Sequence, residues 1–239
     1  MFHAAHQVLG DSRELVIVVD NLDRYGPETV DQCLASGVQH LQSLEANLLL
    51  TPPVDLLLRP HTEPLNNLYA TEFMFTPALR LEGDPVDMLR DPGRRLLRDT
   101  LECRIELARC FQDPDAVVDL LLRLTGGSLR DLMELIREAI IHSKGEMLTT
   151  DDVQAALRKR QGILSDQVQL SGYTVLLAQI ERRNSLVEDE RSLDLLYRRW
   201  VLKYNHTDWY ALHPYVRLLP EVQRLLAGAE SDVPDEQHA

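Results

Sequence analysis

The stretch that decides the fold is Val16-Ile-Val-Val-Asp20-Asn-Leu-Asp23-Arg24. Residues 15–19 form a short apolar run rich in β-branched side chains, which is typical of a strand buried on both faces of a parallel sheet. The run is followed by two acidic residues, Asp20 and Asp23. Ligands bind to open α/β sheets at the carboxyl ends of the strands. The stretch therefore predicts a strand that places two carboxylates at a ligand-binding edge. The alternative is a strand followed by an acidic loop that starts a helix.

The segments next to this strand predict further α/β structure. A helix is expected over 28–43, because Pro27 suits a first helical turn and the apolar residues that follow have helical spacing. A second strand is expected over 46–51, where Pro52-Pro53 stops it, and a third over 71–80. Strands that alternate with helices indicate a partial parallel sheet.

The rest of the chain has a helical pattern with one hairpin. Ser128 is the expected N-cap of one helix, and the stretch Thr149-Thr-Asp-Asp152 is a capping signal at the start of the next. The turn residues Asn205-His-Thr-Asp208 lie between two strand-like runs and predict a β-hairpin over 201–212. The predicted helices cover 93–111, 114–124, 128–143, 150–160, 167–182, 189–199 and 214–226. Helices that precede a hairpin suggest a winged helix.

Three motifs resemble those of one class of ATPase. The pattern at 16–24 resembles the Walker B strand in the KAP and STAND branches of the AAA+-like P-loop ATPases. The stretch Gly126-Gly-Ser-Leu-Arg130-Asp-Leu132 is similar to the lid helix of AAA+ proteins related to archaeal replication initiators. The stretch from Tyr204 to Arg217 is similar to the winged helix that ends many bacterial STAND-like ATPases.

The resemblance implies roles for four residues. Asp20 would hold Mg²⁺ and Asp23 would polarise the attacking water. Thr51 would sense the γ-phosphate from the end of the second strand, although a threonine before Pro-Pro also suits a simple strand end. Arg130 would reach phosphate oxygens from the start of the lid helix, or pair with Glu134 one turn further on. No arginine finger is assigned among Arg59, Arg80, Arg94 and Arg95.

The resemblance also implies the order of the domains. The expected fold is α/β but mostly helical. It comprises a partial P-loop ATPase core over 1–82, an all-helical lid over 83–162, a winged-helix-like domain over 163–227 and a disordered acidic tail over 228–239.

The main departure from the family is the lack of a phosphate-binding loop. The sequence contains no GxxxxGK[ST] motif, and no lysine precedes Lys144. The expectation is the C-terminal portion of an ATPase, which binds ATP and Mg²⁺ only when the missing N-terminal segment is supplied. Two alternatives stay open: a degenerate member that pairs with an intact ATPase, and a non-catalytic regulatory or adaptor protein that uses its winged helix to contact protein or DNA.

Composition narrows the possible partners. The 239 residues carry a net charge of −13, which disfavours general nucleic-acid binding and favours a protein partner or a homo-oligomer. Trp209, Tyr210 and Tyr215 are of the residue types enriched at protein interfaces. His213 stands before a proline without a ligand-spaced partner, so we expect a structural helix cap. No apolar run reaches the length of a membrane helix, and no signal peptide is evident. The expected setting is a cytoplasmic switch in bacterial signalling or defence.

Overall fold

The computed structural model describes residues 14–37, 40, 43, 46–58, 78–79, 81, 92–187, 189–204 and 209–228. Within these residues the chain is mostly helical, with one parallel and one antiparallel pair of strands. This confirms the predicted mixture of α and β structure with a helical majority. Most of the third strand predicted over 71–80, and residues 229–239 of the predicted tail, lie outside the described residues. Among the helices described here, none is long and apolar enough to span a membrane.

The chain divides into two compact units, and neither is continuous in sequence. The first contains Met1–Phe75 and Glu188–Arg198, and the second contains Thr76–Val187 and Arg199–Ala239. The boundary predicted at residue 162 falls within a single long helix of the second unit, Thr150–Ser171.

The first unit is built on two parallel strands, β1 (Val16–Val19) and β2 (Asn47–Leu50). Val30, Leu34 and Leu56 form a small core. On the other sheet face, Val16, Val18 and Leu49 are each more than half exposed, so the prediction of a strand buried on both faces is wrong for the pair as described. The remaining elements are α1 (Pro27–Asp31), a π-helical turn (Gln32–Ser36), two 3-10 turns (Leu22–Arg24 and Val54–Leu58) and, much later in the chain, α8 (Glu190–Tyr197).

The second unit is a helical assembly with its own large apolar core. Leu101, Phe111, Leu121, Leu132 and Leu135 are fully buried members of this core. The helices are α2 (Pro92–Glu102), α3 (Leu107–Cys110), α4 (Pro114–Thr125), α5 (Leu129–His142), α6 (Thr150–Ser171), α7 (Thr174–Arg183), α9 (Pro214–Arg217) and α10 (Pro220–Gly228).

The predicted caps are confirmed, whereas one predicted helix is divided. The side chain of Ser128 caps α5, and Thr149 forms a reciprocal capping box with Asp152 at the start of α6. The helix predicted over 93–111 is broken between α2 and α3. Leu101 and Leu107 are both buried but lie six residues apart, which would put them about 120° apart around a continuous helix, on different faces. The break brings both side chains to the core.

The predicted hairpin is confirmed. β3 (Val201–Tyr204) pairs with β4 (Trp209–Leu212) in antiparallel register, with Val201 opposite Leu212. The hairpin belongs to the second unit, whereas α8, which directly precedes it in sequence, belongs to the first.

Candidate functional site

The two parallel strands end at the same edge of their sheet. Val19 is paired with Leu50, so the residues that follow, Asp20 and Thr51, leave the sheet side by side. The backbone N–H of Thr51 donates to the carbonyl of Val19 at 3.1 Å, which extends the ladder to the final position. The edge predicted from the sequence is therefore present, with its acidic and hydroxyl residues on neighbouring strands.

Asp20 and Thr51 are in direct contact. The Thr51 hydroxyl donates to Oδ1 of Asp20 at 2.7 Å. The backbone N–H of Asn21 also donates to this carboxylate oxygen at 2.7 Å, and to the Thr51 hydroxyl oxygen at 3.0 Å. All three residues are exposed. The result is a small polar cluster that fixes one oxygen of the Asp20 carboxylate at the strand ends.

Asn21 is the member of this cluster that the sequence analysis missed. Its φ is 64°, in the left-handed region. Asparagine tolerates this conformation better than most residues, and here it turns the amide N–H back toward Asp20. An Asp-Asn pair directly after an apolar strand is the sequence signal that could have predicted this turn.

Asp23 lies in the 3-10 turn that follows, Leu22–Arg24, and is partly buried. It belongs to the same unit and the same strand exit as Asp20. The first unit therefore brings together three of the four predicted site residues along a short stretch of the sheet edge.

The chemistry of this edge suits a hard cation that keeps most of its water. Carboxylate and hydroxyl oxygens are the ligands that Mg²⁺ prefers, and it is commonly held by one or two carboxylates together with phosphate oxygens. Among the described residues, no group of three or more acidic, histidine or cysteine side chains could hold a metal by itself. The residues present fit an Mg²⁺ shared with a phosphate ligand better than a metal held by protein alone.

Arg130, the fourth predicted site residue, lies in the second unit. It is exposed near the start of α5. Glu134, its proposed alternative partner, also lies on α5 and accepts from Arg160 Nη2 at 3.0 Å. Of the arginine-finger candidates, Arg94 is buried and bound to Asp119 at 2.5 Å, which makes it a structural residue of the helical core.

A second polar cluster surrounds Asp131, the residue after Arg130. Its carboxylate is buried and accepts from the Ser128 hydroxyl at 2.6 Å. Arg199 Nη1 lies 3.2 Å from Oδ1, and Nε2 of His213 lies 3.4 Å from Oδ2. Arg160 lies slightly further away, at 3.7 Å. We call these five residues the Asp131 cluster.

The Asp131 cluster controls protonation of its central carboxyl. Burial alone would favour the neutral acid. The nearby His213 ring, the charge of Arg199 and the hydrogen bond from the Ser128 hydroxyl together outweigh burial and hold the pKa of Asp131 well below its usual range. The cluster is therefore a hydrogen-bonded ionic junction that joins the start of α5 to the segments around residues 199 and 213.

His213 is the structural cap that the sequence predicted. It precedes α9, and its Nδ1 accepts from the backbone N–H of Tyr215 at 3.2 Å. A nitrogen that accepts this bond carries no hydrogen, which assigns the ring hydrogen to Nε2, the atom facing Asp131.

The aromatic residues of the same motif are mostly internal. Tyr210 and Tyr215 are each only 4% exposed, so they are core residues and do not support the predicted protein contact. Burial raises the pKa of the Tyr215 phenol. Trp209 is partly exposed and packs edge-on against Tyr204 at a centroid distance of 4.9 Å.

The two glycines of the lid motif have a packing role. Both have positive φ, 57° at Gly126 and 80° at Gly127. A β-carbon on Gly126 would lie 2.8 Å from Pro214, and one on Gly127 would lie 1.7 Å from the carbonyl oxygen of Leu79. The hydroxyl of Tyr204 donates to the Gly126 carbonyl at 2.9 Å. The glycines therefore allow α5 to start against the hairpin and α9.

Comparison of the chain with protein-family models, curated proteins and solved structures finds no match.

Proposed function

We propose that the sheet edge of the first unit is the magnesium side of a nucleoside-triphosphate site in an ATPase of the AAA+/STAND class. The observation that carries the proposal is the hydrogen bond between Thr51 and Asp20 across neighbouring parallel strands. Strand-end residues from different parts of the chain meet at the position where α/β sheets bind ligands. The motif resemblance independently assigns a metal-binding acid and a phosphate-sensing hydroxyl to these two residues.

Each residue has a distinct task in this proposal. Asp20 would hold Mg²⁺ through its carboxylate, oriented by Thr51 and by the backbone of Asn21. Asp23 would accept a hydrogen bond from the attacking water and orient it. Bound Mg²⁺ would neutralise phosphate charge during phosphoryl transfer. Arg130 is the proposed phosphate-contacting arginine of the lid.

The proposal requires a phosphate-binding loop that this sequence does not contain. Backbone N–H groups and a lysine normally hold the β- and γ-phosphates. We therefore propose that the chain alone binds ATP weakly and does not hydrolyse it. Tight binding and hydrolysis would require a phosphate-binding loop from another segment or subunit. The proposed setting is a cytoplasmic switch.

Isothermal titration calorimetry with ATP and Mg²⁺ tests this dependence. The chain alone should show a dissociation constant weaker than about 1 mM, the range of contacts without a phosphate anchor. A micromolar constant for the chain alone would show that the phosphate site is built in another way and would contradict the proposed dependence.

The assigned roles are tested in a longer form that carries a GxxxxGK[ST] loop in frame before Met1, if the upstream coding sequence provides one. There, Asp20→Asn should weaken Mg²⁺-dependent ATP binding, and Asp23→Asn should abolish hydrolysis while binding persists. Glu28→Gln, an exposed acid on α1, is the matched control. Wild-type binding and hydrolysis in both aspartate variants would refute the proposed site.

A regulatory or adaptor protein without catalysis is the second candidate. It is favoured by the missing loop and by the exposed apolar side chains of Val16, Val18 and Leu49. Light scattering after size-exclusion chromatography measures the molar mass and so tests whether the protein associates through this face. If it does, Val18→Lys should dissociate the oligomer and lower the mass. An unchanged mass would remove this support for the adaptor.

A further inference from the structure

Arg199 has an uncommon backbone conformation at the point where the chain passes from the first unit to the second. It is the first residue of the second unit after α8 of the first. Its φ is 59°, a left-handed value that glycine usually supplies just after a helix. The other described non-glycine residues with positive φ are Asn21 and Asn184, and asparagine tolerates this region. The arginine therefore occupies a position that its own backbone preference disfavours.

The side chain of Arg199 explains why an arginine can stay there. Its Nη1 lies 3.2 Å from Asp131 Oδ1, and its Nη2 lies 3.9 Å from Glu134. The Asp131 side chain is only 6% exposed, whereas that of Arg199 is 38% exposed, so the anchor is buried and the guanidinium is open to solvent and salt. Ser128 fixes Asp131 at the start of α5, which gives the guanidinium a rigid anchor.

We propose that Arg199 is a strained tether between the crossing point of the chain and the start of α5. Its contacts with Asp131 and Glu134 hold the left-handed backbone, and losing them lets the junction relax. The next residue, Trp200, is buried and its carbonyl accepts from the His213 N–H at 2.9 Å, so the tether also fixes how β3 begins. This inference does not rest on ATP binding.

The surroundings of Asp131 make release of the tether feasible. Without Arg199, the carboxylate keeps the Ser128 hydroxyl, the His213 ring and the nearby Arg160. Glu134 keeps Arg160 at 3.0 Å. The usual obstacle to breaking a buried pair is the charge that is left without a partner. Here Asp131 would keep both a hydrogen-bond donor and a counter-charge after Arg199 is released. The backbone at residue 199 can thus relax while the start of α5 stays intact.

Hydrogen exchange followed by mass spectrometry tests the tether. Arg199→Gly removes the backbone strain and the side chain together. If the side chain holds the junction, exchange in a peptide covering residues 200–204 should accelerate about tenfold, the effect of losing a charged contact. Arg198→Ala, the neighbouring arginine that contacts Asp194 of α8, is the matched control and should leave this peptide unchanged. If Arg199→Gly exchanges at the wild-type rate or more slowly, Arg199 is only a turn residue and the proposal fails.

A second measurement covers the case in which the glycine variant does not fold. Raising the salt from about 0.1 M to about 1 M shortens the screening length severalfold and should accelerate exchange of the same peptide in the wild type, because Arg199 is partly exposed. Arg199→Lys, which keeps the charge but loses the planar fork, should exchange at an intermediate rate. Salt-independent exchange, with the lysine variant equal to the wild type, would overturn the tether.

Discussion

The carboxylate of Asp20 receives two hydrogen bonds at one oxygen, from the Thr51 hydroxyl and the Asn21 backbone. Both donors come from the protein itself, so the orientation of the carboxylate is set before any ligand arrives. Preorganised oxygens of this kind reduce the ordering cost of binding a cation. At the scale of single residues, the hydrogen bond from the Thr51 hydroxyl to Asp20 is therefore the first contact to test by substitution.

Replacing Thr51 by valine separates the orientation of the Asp20 carboxylate from the packing of the side chain at residue 51. Thr51→Val removes the donor and keeps the shape. Because the residue is exposed, stability should fall by less than about 1 kcal/mol. In a form of the protein that binds Mg²⁺–ATP, affinity should fall about tenfold, whereas Thr51→Ser should retain it. Calorimetry and thermal unfolding measure the two effects. Equal affinities for the valine and serine variants would remove the hydroxyl from the proposed site.

Asp131 gives the second residue-scale prediction, a loss of stability in acid. Its pKa is lowered in the folded state, so its stabilising contribution is present above the unfolded value of about 3.9 and is lost as pH falls below it. Asp131→Asn should destabilise the protein at pH 7 by roughly 1–3 kcal/mol and flatten the decline between about pH 5 and pH 3. Urea unfolding at each pH measures this, with the exposed Asp166→Asn as control. An equally steep acid decline in the Asp131 variant would contradict the assignment.

At the scale of elements, the turn before α5 decides how the second unit packs. Gly126 and Gly127 both need positive φ, and both lie where a β-carbon would overlap a neighbour. Gly162, in the interior of α6, differs because a β-carbon added there would meet no atom within 4 Å outside its own helix backbone and its chain neighbours. The same substitution, glycine to alanine, is therefore expected to destabilise the protein at residues 126 and 127 and to stabilise it at residue 162.

Three alanine variants test this contrast. Gly127→Ala should be the most damaging, by more than about 3 kcal/mol, because the overlap is with rigid backbone at Leu79. Gly126→Ala should cost about 2 kcal/mol, since its nearest neighbours are side chains. Gly162→Ala should stabilise by about 0.5–1 kcal/mol through helix propensity. Denaturant unfolding gives all three values. A Gly127→Ala protein as stable as Gly162→Ala would contradict the described packing.

Local rules were sufficient to predict many of the elements. Ser128 and Thr149 were identifiable as caps because a cap depends on residues within one turn. Asp20 and Thr51 could be placed at one edge because parallel strands share a direction. The break between α2 and α3 was not predicted, because it is explained by the tertiary burial of both Leu101 and Leu107. The pairing of Asp131 with Arg199 and His213 was also missed, since no local pattern relates residues so far apart in sequence.

At the scale of the whole molecule, several arginine side chains among the described residues form ion pairs with acids. Arg198 binds Asp194 at 2.7 Å, and Arg217 binds Glu181 at 2.9 Å. Such pairs cancel much of the field that would attract phosphates, within a chain of net charge −13. These ion pairs therefore add to the compositional evidence against DNA binding.

Duplex DNA should therefore bind weakly. Fluorescence anisotropy at about 0.15 M salt should give a dissociation constant weaker than about 1 µM, with no dependence on sequence. Arg183→Ala combined with Arg198→Ala should change it little. Submicromolar binding that is lost in this double variant would instead favour a DNA-binding function.

Each unit is built from two separate stretches of the chain, and this arrangement affects when each unit can fold during translation. α8 contacts the 3-10 turn Val54–Leu58 of the first unit, yet residues 76–187 are made between them. At typical translation rates of about 5–20 residues per second, this helix is made roughly 6–24 s after residue 75. The second unit is also incomplete at that stage, because Arg199 and His213, which contact Asp131, are made later still. Neither unit can therefore be completed before the residues after 188 have been made, and a nascent chain that stalls before residue 188 holds neither in finished form.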